Sequence, residues 1–233
     1  GKTYYVTKKV AIDDENLESA TLNGEPVETV FTLKGDTEAT YIIRAVDKAG
    51  NVTEYTVYMK PISSVTDVIA EITVDNVKSS DAETISAVER QILDIAEAFD
   101  DGESTEDEWN KLTEAAAKCK DLNKRITEVA DEITRLTDAV NGYNIDKVTS
   151  ADKADIEKLI SDIDTLLDGD NLTESERAAL EALKGTARAL LDRIAAAKDA
   201  AEADEIKAID GITKDNVKLG DKESLGTAEK ALE

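Results

Sequence analysis

A seven-residue segment recurs along this chain, and no other feature limits the possible folds so tightly. Ile72-Thr73-Val74-Asp75-Asn76-Val77-Lys78 returns as Ile212-Thr213-Lys214-Asp215-Asn216-Val217-Lys218, with six of seven positions identical. A looser copy lies between them, Tyr143-Asn144-Ile145-Asp146-Lys147-Val148-Thr149. The motif aspartate moves from 75 to 146 to 215, steps of 71 and 69 residues. Six residues after it comes a second acid, Asp81, Asp152 or Asp221, and then an apolar anchor, Ile85, Ile156 or Leu225. A period of this kind marks one supersecondary unit copied in tandem.

Within a unit the helices follow from apolar spacing and caps. Ile85, Val88, Ile92, Ile95 and Phe99 recur every three or four residues and predict a helix over 81–99. Ile156, Leu159, Ile160, Ile163 and Leu167 predict its counterpart over 152–167. Thr105 with Glu108, and Thr173 with Glu176, have capping-box spacing, in which hydroxyl and carboxylate each satisfy an otherwise orphaned amide. Behind them run two stripes: Trp109, Leu112, Ala116, Cys119, Leu122, Ile126, Val129, Ile133, Leu136 and Val140, then Leu180, Leu183, Ala187, Leu190, Ile194 and Ala201.

Narrow stripes need partners, and a long antiparallel pair with a shorter third helix is the simplest arrangement. The short helix is expected over 65–72, 133–140 and 206–212, with Ile69, Val140 and Ile209 in equivalent places. No Gly or Pro separates the second long helix from the next short one, apart from Gly185 inside the helix itself. Nearly continuous helix between units, a stiff stalk, is the expectation.

The first 60 residues read differently. Short β-rich runs, Tyr4–Val6, Lys9–Ile12, Ala20–Leu22, Val30–Leu33, Tyr41–Val46 and Glu54–Met59, alternate with turn signals such as Asn23-Gly24, Lys34-Gly35-Asp36 and Lys48-Ala49-Gly50-Asn51. They predict a small antiparallel sandwich, with the boundary to the helices at Pro61. The expected fold class is therefore multidomain: a small all-β sandwich followed by tandem all-α three-helix-bundle repeats. The expected segments are residues 1–61, 62–131, 132–202 and a truncated third repeat over 203–233, with Gly1 and Glu233 read as cut edges of a longer protein.

Charge and composition remove several functions. With 28 basic against 52 acidic residues the net charge is −24, which repels phosphate backbones and anionic lipid, so neither a nucleic-acid nor a membrane partner is expected. The chain has no histidine, the commonest general acid/base and neutral metal ligand. Its single cysteine, Cys119, allows no internal disulfide and falls in phase with the apolar stripe, as a buried small hydrophobe would. No nucleophile motif, phosphate loop or metal-ligand spacing is present, so no catalytic residue, cofactor or metal site is expected, and the chain reads as a non-enzymatic monomer.

Two resemblances sharpen this reading. Tyr41-Ile42-Ile43-Arg44-Ala45-Val46-Asp47-Lys48-Ala49-Gly50-Asn51-Val52-Thr53 resembles the last hairpin of bacterial Ig-like domains, and Leu22-Asn23-Gly24-Glu25-Pro26-Val27 resembles a turn of the same family. The helical units are similar to repeats of long cell-wall-associated proteins of Gram-positive bacteria, through Asp75-Asn76-Val77, Asp215-Asn216-Val217 and the run Asp168 to Leu180. The first copy departs from that pattern at Ser104-Thr105-Glu106-Asp107-Glu108-Trp109. The resemblance implies extracellular, cell-wall-associated display as a spacer or adhesive region. The competing reading is a binding module for a host protein or glycan, through a helix face or the Ig-like sheet.

The candidate contact residues are few. Trp109, Tyr4 and Tyr5 are the possible partner contacts, each weighed against packing: Trp109 over the helix hairpin, the tyrosines in the sheet core and in cross-strand pairs. Asp168-Gly169-Asp170-Asn171, Asp100-Asp101-Gly102-Glu103 and Asp13-Asp14-Glu15-Asn16 read as solvated turns, with calcium as the alternative, because the alternating acids and closing Glu of a calcium loop are missing.

Overall fold

The computed structural model describes residues 1–99 and 104–210. The acidic loop 100–103 and the third motif copy, with Asp221 and Leu225, lie outside the described residues, as does the side chain of Ile209. A β-sheet region with two sheets is followed by an all-α region of several helices. The chain forms two compact units, Gly1–Glu128 and Val129–Glu233.

In the first unit the strands are β1 (Lys2–Tyr4), β2 (Lys8–Ala11), β3 (Leu17–Leu22), β4 (Glu25–Pro26), β5 (Val30–Leu33), β6 (Ala39–Asp47) and β7 (Val52–Met59). A five-stranded sheet has the order β1-β7-β6-β3-β4, and β2 pairs with β5 in a second sheet. One pairing departs from the antiparallel expectation: β1 runs parallel to β7, with Thr3 opposite Tyr58. The strand is also shifted two residues toward the N-terminus of the expected Tyr4–Val6 run, because Tyr5 and Val6 leave the sheet and join the helical core. The β core draws on both sheets, with Leu33, Ile43, Val57 and Met59 buried and Val10, Phe31 and Tyr41 packed around them.

Turn chemistry sets the hairpins. Asn23 and Gly24 between β3 and β4 both have positive φ, 53° and 88°, the combination a two-residue type I′ turn requires. Between β6 and β7, Asp47 accepts hydrogen bonds from the amides of Ala49 (2.9 Å) and Asn51 (2.8 Å) and from Asn51 Nδ2 (2.7 Å). Gly50 there has φ 84°, where a β-carbon would be strained.

The helices are α1 (Ser63–Thr66), continuing as a 3₁₀ turn over Asp67–Ile69, then α2 (Ala82–Glu97), α3 (Glu106–Asn141), α4 (Lys153–Leu167) and α5 (Glu174–Asp210). The sequence motif has a geometry, and among the described residues it occurs twice. In the first copy the amides of Asn76 and Val77 both reach the Thr73 carbonyl, and in the second those of Lys147 and Val148 reach Asn144. The acid six residues after the motif aspartate then caps a 3₁₀ turn: Asp81 Oδ2 accepts from the Lys78 amide at 2.9 Å, Asp152 Oδ2 from the Thr149 amide at 2.8 Å. That turn leads straight into α2 or α4.

Two helical cores result among the described residues. One comprises Val65, Ile69, Val77, Ile85, Val88, Ile92, Ile95, Leu112, Ala115, Cys119 and Leu122, with Val6 and Ile62. The other comprises Val129, Leu136, Val140, Ile156, Leu159, Ile163, Leu167, Leu172, Leu180, Leu183, Ala187, Leu190 and Ile194. Helix α3 supplies residues to both, and it is one helix of 36 residues. Helix α5, of 37 residues, likewise runs past the core it lines. Two stripe positions lie outside the buried cores. Ala201 is exposed, since the second core ends at Ile194, and Trp109 stands 43% exposed at the solvent edge of α3.

Candidate functional site

Glu108 is the one buried charged side chain among the described residues, 7% exposed in the first turn of α3. A carboxylate loses hydration when buried and must recover it as hydrogen bonds. One oxygen, Oε2, accepts from the Thr105 amide at 2.8 Å, and the Thr105 hydroxyl accepts from the Glu108 amide at 3.2 Å, so the expected capping box is formed. The other, Oε1, accepts from both the amide and the hydroxyl of Thr7, each at 2.8 Å. Thr7 Oγ1 in turn accepts from the Gly35 amide at 3.1 Å. The packing is tight: a β-carbon on Gly35 would lie 2.6 Å from Glu108 Oε1 and from the Thr7 nitrogen, so only glycine fits.

A cleft of about 700 Å³ opens beside this cluster, lined among others by Lys34, Asp36, Asp67, Asp107 and Lys111. Its charges are of both signs. The buried carboxylate at its edge has both oxygens taken up by protein donors.

The three contact candidates do not form one patch. Tyr4 is half-buried against the β core, under the Lys2 ammonium 5.0 Å from its ring centroid, and Tyr5 is half-buried against the first helical core. They share a cleft of about 470 Å³ with Gln91, Asp94, Ile95 and Ala98 of the α2 segment. Trp109 is not part of that lining. Its ring leans on Phe99, centroids 4.9 Å apart and planes tilted by 57°, a favourable offset contact. Ile42 and Val52, absent from the sequence-based candidates, share one face of the β6–β7 ladder with Tyr58, which the sequence does suggest for a carbohydrate-binding face, each of the three between 43% and 51% exposed. Strand alternation could have found this face, since Ile42 and Tyr58 are out of phase with buried Ile43 and Val57.

The remaining candidates are structural. Cys119 is wholly buried, and burial, with Glu89 adding to it, pushes its thiol up from the ordinary value, away from the reactive thiolate. Asp14 holds the Asn16 amide at 2.8 Å in a local turn. At Asp168 to Asn171 the carbonyls of Leu167 and Gly169 are bound by the Arg177 guanidinium, the latter at 2.9 Å. Among the described residues no group of three or more metal-ligating side chains could hold a metal ion, and no helix is long and apolar enough to cross a membrane.

No protein-family model, curated protein or solved structure matches this chain. Its function must be argued from its own geometry.

Proposed function

We propose that this chain is a non-catalytic spacer segment of a bacterial cell-surface protein, adhesin-like in context, that presents other domains away from the cell wall. The observation that carries the reading is α3: one helix contributes Leu112 to Leu122 to one core and Val129 to Val140 to the next, with no loop between. Repetition of this kind adds length and nearest-neighbour stability without new chemistry. The finer fold reading rests on two further facts. The strand order β1-β7-β6-β3-β4 with β2-β5 sharing its core, with β7, β6, β3 and β4 read as the G, F, C and C′ strands, β1 as a further edge strand, and β2 and β5 as B and E, supports an Ig-like sandwich. The recurring motif turn, 3₁₀ cap, helix and capping box support tandem three-helix units. The net charge of −24 suits a densely displayed surface protein, since like-charged copies repel.

The test is display. Inserted between a surface anchor and an epitope, the chain should raise access of a bulky antibody as each helical set is added. Equal access with and without the helical sets removes the spacer role.

A second reading, binding of a host protein or glycan, is favoured by the exposed Ile42, Val52 and Tyr58 face and by Trp109. Arrays of glycans and serum proteins test it. Binding lost on Tyr58→Ser or Trp109→Ala supports recognition, and no binding to either array leaves the spacer reading standing alone.

A further inference from the structure

The two helical sets close their loop ends differently, and the differences fall on the same three features. In the second set, Leu172 immediately precedes the capping threonine and is buried in the core, 3% exposed. The capping carboxylate there, Glu176, receives the amide and hydroxyl of its own Thr173 at 2.8 Å and 2.7 Å. The next residue, Arg177, covers the C-terminal carbonyls of α4, where a cation is favoured by the helix dipole. In the first set the corresponding residues are Ser104, Glu108 and Trp109: Glu108 Oε2 keeps the Thr105 amide as Glu176 keeps that of Thr173, but among the described residues Ser104 and Trp109 do not repeat the roles of Leu172 and Arg177.

Three consecutive residues of the β region supply an apolar, a hydroxyl and a basic group at that end. Val6, 1% exposed, belongs to the helical core and not to the core of its own sheets. Thr7 supplies an amide and a hydroxyl to Glu108 Oε1. Lys8 Nζ donates to the carbonyl of Ala98, the C-cap of α2. Apolar, hydroxyl and basic groups thus arrive in the order Val6-Thr7-Lys8: Val6 and Lys8 stand where Leu172 and Arg177 serve the second set, and Thr7 adds two donors to a carboxylate that Thr105 already caps.

We infer that the loop end of a helical set in this protein is a docking socket for a neighbouring β domain. The pair of residues before and after the capping box selects the state: Ser104 and Trp109 leave the socket open to the Val6-Thr7-Lys8 strap, while Leu172 and Arg177 close it from within. The first helical set is on this account completed by the β region, and the two open as one unit.

Hydrogen exchange on the full chain tests this. Val6→Ala/Lys8→Ala should speed exchange of the most protected α2 amides by roughly tenfold or more while α4 amides change little, since trimming a buried side chain weakens the packing that resists sub-global opening. Adding Ser104→Leu/Trp109→Arg to that variant should restore α2 protection by closing the socket from within. Should the double variant not fold, Val6→Ala alone gives the same reading. Wild-type α2 protection in the strap variants, with loss confined to the β strands, would overturn the inference. Failure of the Leu/Arg pair to restore protection would overturn the proposed equivalence.

Discussion

Asp47 illustrates how much of this fold rests on single polar side chains in turns. Its carboxyl is held below the ordinary value of 3.8, chiefly by the Asn51 side chain and the Asn51 amide, with the Ala49 and Gly50 amides adding to the effect. A depressed carboxylate contributes stability above its unfolded value, and that stability is lost as pH falls through the folded value. Asp47→Ala should therefore lower the denaturation midpoint of the β region near neutral pH. The gap from wild type should shrink as pH falls below the ordinary value, as fluorescence- or CD-detected unfolding across pH would record. Thr173→Ala, which removes the capping hydroxyl at the head of α5, should cost about 1 kcal/mol in chemical denaturation. The reciprocal pattern of donors at Thr105 and Thr173 was readable from residue spacing. The second role of Glu108 was not, because its partner Thr7 lies 101 residues away in the chain.

At the scale of elements, the helices were legible because their apolar spacing and caps agree. The expected 152–167 helix is α4, one residue shorter, and the expected 81–99 helix is α2, one residue shorter at its start, where Asp81 ends the 3₁₀ cap, and two shorter at its end. The strands were largely legible as well, Val30–Leu33 to the residue, but their pairing needed tertiary information that alternation lacks. Nothing local marks β1 as parallel to β7, or Tyr5 and Val6 as leaving the sheet for the helical core. The departure at Ser104 and Trp109 was visible in the sequence, but its meaning required the strap that lies against it. Burial now separates leucines that look alike in sequence. Leu136, fully buried, should cost about 2–5 kcal/mol when changed to Ala. Leu93, 59% exposed, should cost about 0.5 kcal/mol or less. Equal losses for the two in urea unfolding would contradict the placement of the helical faces.

At the scale of the whole molecule, the repeat that constrains the sequence is also what organises the function proposed for it. Each set encloses its own core, yet α3 lends residues to both. The spacer role therefore depends on that helix being continuous where Glu128 of the first compact unit is followed by Val129 of the second. Ala130→Pro, which removes an internal hydrogen bond and clashes with the preceding turn, should destabilise the chain by about 3 kcal/mol if the helix is unbroken there. Little effect is expected of Pro in a loop. The most direct measurement is amide hydrogen exchange of the unmodified chain over Ile126 to Asp131. Protection of roughly a thousandfold over free peptide, comparable with that of neighbouring α3 amides, is the predicted result. Exchange at the free-peptide rate would mean a loop joins the two sets, and would contradict the account.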